Sequence, residues 1–186
     1  MSSLLIFATP IAGLKVVERS SRGDRRGFLA RLFCADELAD AGWCKPVAQV
    51  NQTFTKMAGT VRGLHFQHPP QAEMKLVTCL QGAIWDVAVD IRAGSPTFLQ
   101  WHAEELSASN RRAMLIPEGL AHGFQTLTDE CGLIYLHTAA YSPACEAGLH
   151  PRDPLLSIAW PRPIAELSAR DAKHPLLDDQ FNGVSS

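Results

Sequence analysis

Residues 84–91 read Ile-Trp-Asp-Val-Ala-Val-Asp-Ile, and no other stretch limits the fold as much. Trp85, Val87, Val89 and Ile91 alternate with Ile84, Asp86, Ala88 and Asp90. That period of two places successive side chains on opposite faces of a β-strand. Turn chemistry brackets the run, with Gln81-Gly82 before it and Gly94-Ser-Pro96 after it. The same alternation of strand and turn predicts strands over Pro46–Thr55 (one polar face), Lys75–Leu80, Thr97–Leu106, Arg112–Ile116, His122–Leu127 and Leu133–Thr138. Short strands at close intervals define an all-β sandwich or barrel and exclude βαβ units.

Outside this core the texture changes. The first eight residues, Ile11–Val17 and Phe28–Phe33 predict an N-terminal arm of strands, followed by a short helix over Ala35–Gly42 that ends on its glycine. Asp153-Pro154 and Trp160-Pro-Arg-Pro163 are loop chemistry, and Glu166–Lys173 predicts a short helix. The chain is therefore read as one domain in three parts: arm 1–45, β-core 46–142 and C-terminal segment 143–186. A formal charge of −2 gives no reason to expect nucleic acid or an anionic membrane as partner. The five cysteines (34, 44, 79, 131 and 145) include no CxxC pair, which fits a reducing compartment and not a disulfide framework. No apolar run approaches a membrane span and no basic leader precedes the first strand, so the expected location is the cytoplasm.

Chemistry concentrates in Gly59-Thr-Val-Arg62-Gly63-Leu-His65-Phe-Gln67. On a strand His65, Gly63 and Gln67 share a face, with Arg62 on the other face or at a bend. Glycine inside a strand marks a bulge or a close backbone approach. A second stretch, Pro117-Glu-Gly119-Leu-Ala-His122, resembles the second motif of the cupin superfamily, whose fold is a double-stranded β-helix or jelly roll. In metal-binding cupins such a histidine is one of three or four ligands. The region around His65 and Gln67 lacks the His-x-His and glutamate that would complete the set, so the reading is metal-free. His65 has the intrinsic pKa of a general base near neutrality. Lys75 supplies a cation for a developing enolate oxygen, and Tyr135, on the strand face it shares with His137, supplies an acid. These residues point to proton transfer beside a carbonyl.

The motifs together go further. Lys75-Leu-Val, Asp86-Val-Ala-Val-Asp90, Gly94-Ser-Pro-Thr97, Glu105-Leu-Ser107, Ile116-Pro-Glu-Gly and Ala121-His-Gly-Phe124 resemble the dTDP-4-dehydrorhamnose 3,5-epimerase family. So do Tyr141-Ser-Pro143, Asp153-Pro154 and Ile158-Ala-Trp-Pro161, in one register from about Gly23 to Leu177. The resemblance implies a cupin-type jelly roll that inverts C3 and C5 of dTDP-4-dehydro-6-deoxy-D-glucose without a cofactor, since the C4 ketone is already the electron sink. It implies His65 as proton acceptor, Tyr135 as donor, Asp171 as the carboxylate paired with the histidine and Lys75 as the enolate stabiliser. By spacing alone, Ser168-x-x-Asp171 reads as a helix capping box. The resemblance places Arg26, Gln49, Asn51, Arg62, His122, Tyr141, Glu146 and Arg170 on the nucleotide-sugar. It also implies a homodimer in which the arm of one chain reaches the other's site.

Four positions depart from the family pattern. Arg31 stands where a substrate-contacting glutamate is usual, Val50 where an aspartate is common, Leu136 where many members have lysine, and Met74 where a glycine precedes the lysine. They bear on whether one carbon or both are inverted. The alternatives are a single-carbon epimerase of a related nucleotide-sugar, a metal-dependent cupin oxygenase and a non-catalytic sugar-binding cupin.

Overall fold

The computed structural model describes residues 3–185. Two sheets carry the architecture, and their central strands are buried on both faces. The first runs in the order β1 (Leu4–Ala8), β2 (Lys15–Arg19), β10 (Arg112–Ile116), β7 (Lys75–Gln81), β12 (Cys131–His137) and β5 (Gln49–Thr55). The second runs β13 (Glu146–Gly148), β6 (Thr60–Gln67), β11 (Leu120–Thr126), β8 (Ala83–Asp90) and β9 (Trp101–Ser107). These pairings are antiparallel, and from β5 to β13 consecutive strands cross between the sheets except at the β8–β9 hairpin, which makes a jelly roll. A hairpin of β3 (Ser21–Asp24) and β4 (Gly27–Ala30) stands apart from both sheets.

The alternation of the sequence explains the layering. Val77, Cys79, Ile84, Ala88, Met114, Ile116, Phe124 and Leu133 point inward and form the core between the sheets. Their out-of-phase neighbours Leu76, Ala113, Leu115 and Leu136 pack outward against the short helix α1 (Ala35–Ala39) and Trp43. On the second sheet Val87, Val89 and Ile91 pack outward against Leu149, Leu156 and Val184 of the C-terminal segment. Full burial of a side chain such as Phe124 contributes about 2–3 kcal/mol. Strands buried on both faces read as near-continuous apolar runs, which is why 84–91 is so legible.

Several boundaries differ from the sequence reading. The strand expected from Thr97 begins at Trp101, because residues 95–97 form a loop tied to Asp90: Ser95 Oγ and Thr97 Oγ1 each donate to Asp90 Oδ2 at 2.6 Å. The second strand starts at Lys15 after a turn at Pro10–Gly13, and the Phe28 strand stops at Ala30. The expected helix over Glu166–Lys173 is not one element. Glu166–Leu167 (β14) pairs in parallel with Thr60 and Val61 of β6, and Asp171–Lys173 forms one 3-10 turn. Sheet hydrogen bonding to β6 overrides local helix propensity there. Among the described residues no helix is long and apolar enough to cross a membrane.

Candidate active site

Gly63 shapes the site. Its φ is +119° and a Cβ there would lie 2.5 Å from Gly123 Cα, so β6 and β11 touch backbone to backbone. The register shifts at this contact: His65 pairs with His122, but Arg62 pairs with Phe124. The bend brings Arg62 and His65, three residues apart, to the wall of one cavity of about 350 Å³ between the sheets.

Asp171 meets His65 at that wall. Its Oδ1 is 2.8 Å from His65 Nε2, and its Oδ2 accepts the Gly63 N–H at 3.2 Å. The Asp171 N–H in turn donates to Ser168 Oγ at 3.0 Å. Burial alone would raise this carboxyl, but the hydrogen bond and charge of His65, with the Gly63 N–H, hold it below the usual range. An ionised Asp171 can only accept, so Nε2 of His65 carries the proton and Nδ1 keeps the lone pair. The Asp171 side chain is 5% exposed and that of His65 31%, leaving the imidazole accessible from the cavity.

Lys75, on β7, is held by a relay. Its Nζ lies 3.1 Å from Glu73 Oε1 and donates to the His65 carbonyl at 3.3 Å. Glu73 Oε2 accepts from His137 Nδ1 at 2.8 Å. Burial opposes ionisation of Glu73, but His137 and Lys75 outweigh it and keep the carboxyl low. The ammonium is thus buried and fixed. Tyr135 lies on β12 in the first sheet, opposite the sheet that carries His65. Its ring stacks on His137 and meets His122 edge-on, and its hydroxyl is 3.5 Å from Thr53 Oγ1. Burial pushes the phenol pKa well up, so at neutral pH it is a proton donor. His122 Nε2 in turn bonds Asp86 Oδ1 at 2.7 Å, and burial raises the Asp86 carboxyl against the pull of His122.

The cavity mouth is polar. Gln49 Oε1 accepts the Tyr141 N–H at 2.9 Å, the Tyr141 hydroxyl donates to Glu146 at 2.8 Å, and Arg170 pairs with Glu146. Asn51 bonds Gln49 and sits beside His137, and Arg62 Nε donates to Thr55 at 3.0 Å. The structure brings His65, Lys75, Tyr135, Asp171, Gln49, Asn51, Arg62, His122, Tyr141, Glu146 and Arg170 to one cavity wall. Arg26 is the exception. It sits at the tip of the β3–β4 hairpin, paired with Asp24 at 2.6 Å, away from its own chain's cavity.

The departures all turn away from this wall. Arg31 pairs with Glu37 of α1, and Met74 is buried in the outer core. Val50 and Leu136, two of the positions read as departures, are direct cross-strand partners on β5 and β12 and form one apolar pair. Sequence reasoning missed Glu73, which lies in the turn after Pro69-Pro70 with no periodicity to mark it. Its one signal was position, two residues before Lys75.

An imidazole backed by a carboxylate on one sheet, facing a neutral phenol and a fixed ammonium on the other, gives this jelly roll the layout of an isomerase-class enzyme that takes a proton from one face of a bound molecule and returns one to the other. Comparison with known proteins narrows the class. The sequence model of the family dTDP-4-dehydrorhamnose 3,5-epimerase matches residues 8–179. The dTDP-4-dehydrorhamnose 3,5-epimerase of Salmonella typhimurium is 41% identical over 94% of this chain and 96% of its own. A dTDP-4-dehydrorhamnose 3-epimerase of Streptomyces niveus is 41% identical over 90% of this chain and 81% of its own. The crystal structure of the dTDP-6-deoxy-D-glucose-3,5-epimerase of Legionella pneumophila with dTDP-4-keto-L-rhamnose superposes with TM-score 0.90 at 38% identity, covering 98% of this chain and 99% of that one. The chain belongs to the dTDP-4-dehydrorhamnose 3,5-epimerase family.

Proposed function

We propose that the protein inverts C3 and C5 of dTDP-4-dehydro-6-deoxy-D-glucose, giving dTDP-4-dehydro-L-rhamnose. The observation that carries the reading is the His65–Asp171 pair facing Tyr135 across the cavity. Nδ1 of His65 takes the hydrogen from the carbon beside the C4 ketone, and the electron pair moves onto the carbonyl oxygen. The Lys75 ammonium stabilises that enolate. Tyr135 returns a proton to the opposite face of the carbon, and solvent then reprotonates the phenolate and deprotonates the imidazolium. One such cycle serves each carbon.

Gln49, Asn51, Arg62, His122, Tyr141, Glu146 and Arg170 hold the nucleotide-sugar around this centre. Arg26 completes the set from a second copy of the chain, since a guanidinium suits a pyrophosphate in bidentate geometry. The homodimer reading is supported by the arm, where Phe28 and Leu29 beside Arg26 are 66% and 77% exposed in the single chain. The working compartment is the cytoplasm, where such a sugar nucleotide is made and used.

A single-carbon epimerase is the second reading, favoured by the 3-epimerase relative at 41% identity. Proton NMR of the substrate in deuterium oxide separates the two. Loss of both C3 and C5 signals with the enzyme, abolished by His65→Ala, supports the double epimerase. Loss at one carbon supports the single epimerase, and no exchange at either carbon sinks both.

A further inference from the structure

His174 is unused by the chemistry above, yet it is set against the base. It follows the 3-10 turn that carries Asp171, and its Nε2 is buried with no hydrogen-bond partner among the described residues. Its ring stands edge-on to His65 with centroids 5.8 Å apart, and Nε2 lies 4.0 Å from Asp171 Oδ1. Space for it comes from Gly148, where a Cβ would lie 2.3 Å from His174 Nε2. A buried imidazole nitrogen without a partner has a reason to take a ligand.

We propose that His65, Asp171 and His174 form a binding site for a zinc-class divalent ion, whose occupation switches the base off. Donor atoms of the three side chains lie within 4.8 Å of one another. Ligands about 2.0–2.1 Å from a tetrahedral ion stand about 3.3 Å apart. The observed 2.8 Å (His65 to Asp171) and 4.0 Å (His174 to Asp171) bracket that separation, and the third edge, between the two imidazoles, lies within 4.8 Å, so side-chain shifts of no more than about 1.5 Å close the set. Two imidazoles and one carboxylate are a donor set that zinc and cobalt accept. The Gly63 N–H on Asp171 Oδ2, and Ser168 Oγ on the Asp171 N–H, already fix the carboxylate as outer-shell partners do.

The consequence for His65 is a change of tautomer. An ion on Nε2 displaces the proton shared with Asp171, and the neutral ring then carries its proton on Nδ1, the atom that must accept the substrate's hydrogen. No proton leaves and no bond to substrate forms; the base is simply occupied. This inhibitory half rests on the proposed role of His65, whereas the metal site itself does not.

Chelator-treated, full-length protein is titrated with cobalt(II) and followed by visible absorption, with zinc as competitor. Epimerisation by each protein in zinc is compared with its own rate in chelator. We expect one equivalent of cobalt in a low-symmetry site, weakened about tenfold or more by His174→Ala and by His174→Gln, each checked for a native melting profile. Zinc inhibition should weaken by the same factor in both variants and reverse with chelator. Equal metal affinity in wild type and variants, or a cobalt spectrum like that of the aqueous ion, overturns the site. His174-dependent binding with undiminished turnover at saturating zinc overturns the switch. His174-dependent binding in a protein that epimerises nothing leaves the site standing and removes the proposed function with its inhibitory corollary.

Discussion

Asp171 Oδ1 lies 2.8 Å from His65 Nε2 across 106 residues of chain. On the proposed mechanism the carboxylate selects the tautomer that leaves Nδ1 free and stabilises the imidazolium after proton abstraction. Asp171→Asn should therefore lower kcat by about 10²–10⁴-fold with little change in KM, because the lost interaction grows as the ring charges. Steady-state kinetics with the folded variant is the check. A raised KM at unchanged kcat would move Asp171 from positioning the base to holding substrate.

Tyr135 is separable from the base because it sits on the other sheet. Tyr135→Phe removes the acid and leaves His65 intact, so deuterium should still enter from solvent while inversion falls by about 10²–10⁴-fold. Parallel NMR records of exchange and product formation give the ratio. Inversion at the wild-type rate would place the donor elsewhere.

Gly63 has no room for a methyl group, with a Cβ there 2.5 Å from Gly123 Cα and 2.8 Å from the His122 carbonyl. With its positive φ, Gly63→Ala should cost roughly 2–4 kcal/mol. Urea unfolding should show a lower midpoint at unchanged slope. An unchanged midpoint would mean that β6 and β11 can separate without loss.

Asp90 is a pH probe remote from the cavity. Burial would raise its carboxyl, but hydrogen bonds from Arg92, Ser95 and Thr97 prevail and bring it down to about 2. Because the folded value lies below the unfolded one, the contribution to stability is full above the unfolded pKa near 3.9 and disappears as pH falls through about 2. Asp90→Asn should cost about 2 kcal/mol at pH 7, and the gap to wild type should narrow between about pH 4 and pH 2. Urea midpoints at pH 7, 4 and 3 test this. A gap independent of pH would remove the ionic explanation.

How much of this was legible depended on where each residue gets its partner. Residues 84–91 were readable because both faces of β8 are buried, and a period-two pattern is local. Asp171 was ambiguous for a physical reason: the capping bond from its N–H to Ser168 Oγ is present, but its carboxylate is held chiefly by His65 and Gly63, with the Ser168 side chain a lesser partner. Half of the capping box is real, and the other half was spent on a contact no spacing rule contains. Glu73 had only its place two residues before Lys75 to mark it, since its meaning comes from Lys75 and His137 on two neighbouring strands. The loop at residues 95–97 misled for the opposite reason: Thr97 and Phe98 favour strands by composition, but the Asp90 carboxylate captures Ser95 and Thr97 first.

The late arrival of Asp171 has a consequence for synthesis on the ribosome. A nascent chain that has emerged as far as His137 already contains every strand that carries His65, Lys75 and Tyr135. Its imidazole has no carboxylate to choose a tautomer, and Gly63 has no oxygen for its N–H. On the proposed mechanism the base is complete only once Glu166 and Leu167 zip onto β6 and draw Asp171 behind them. On that mechanism the half-made protein is a weak base toward sugar ketones, and translation itself arms it.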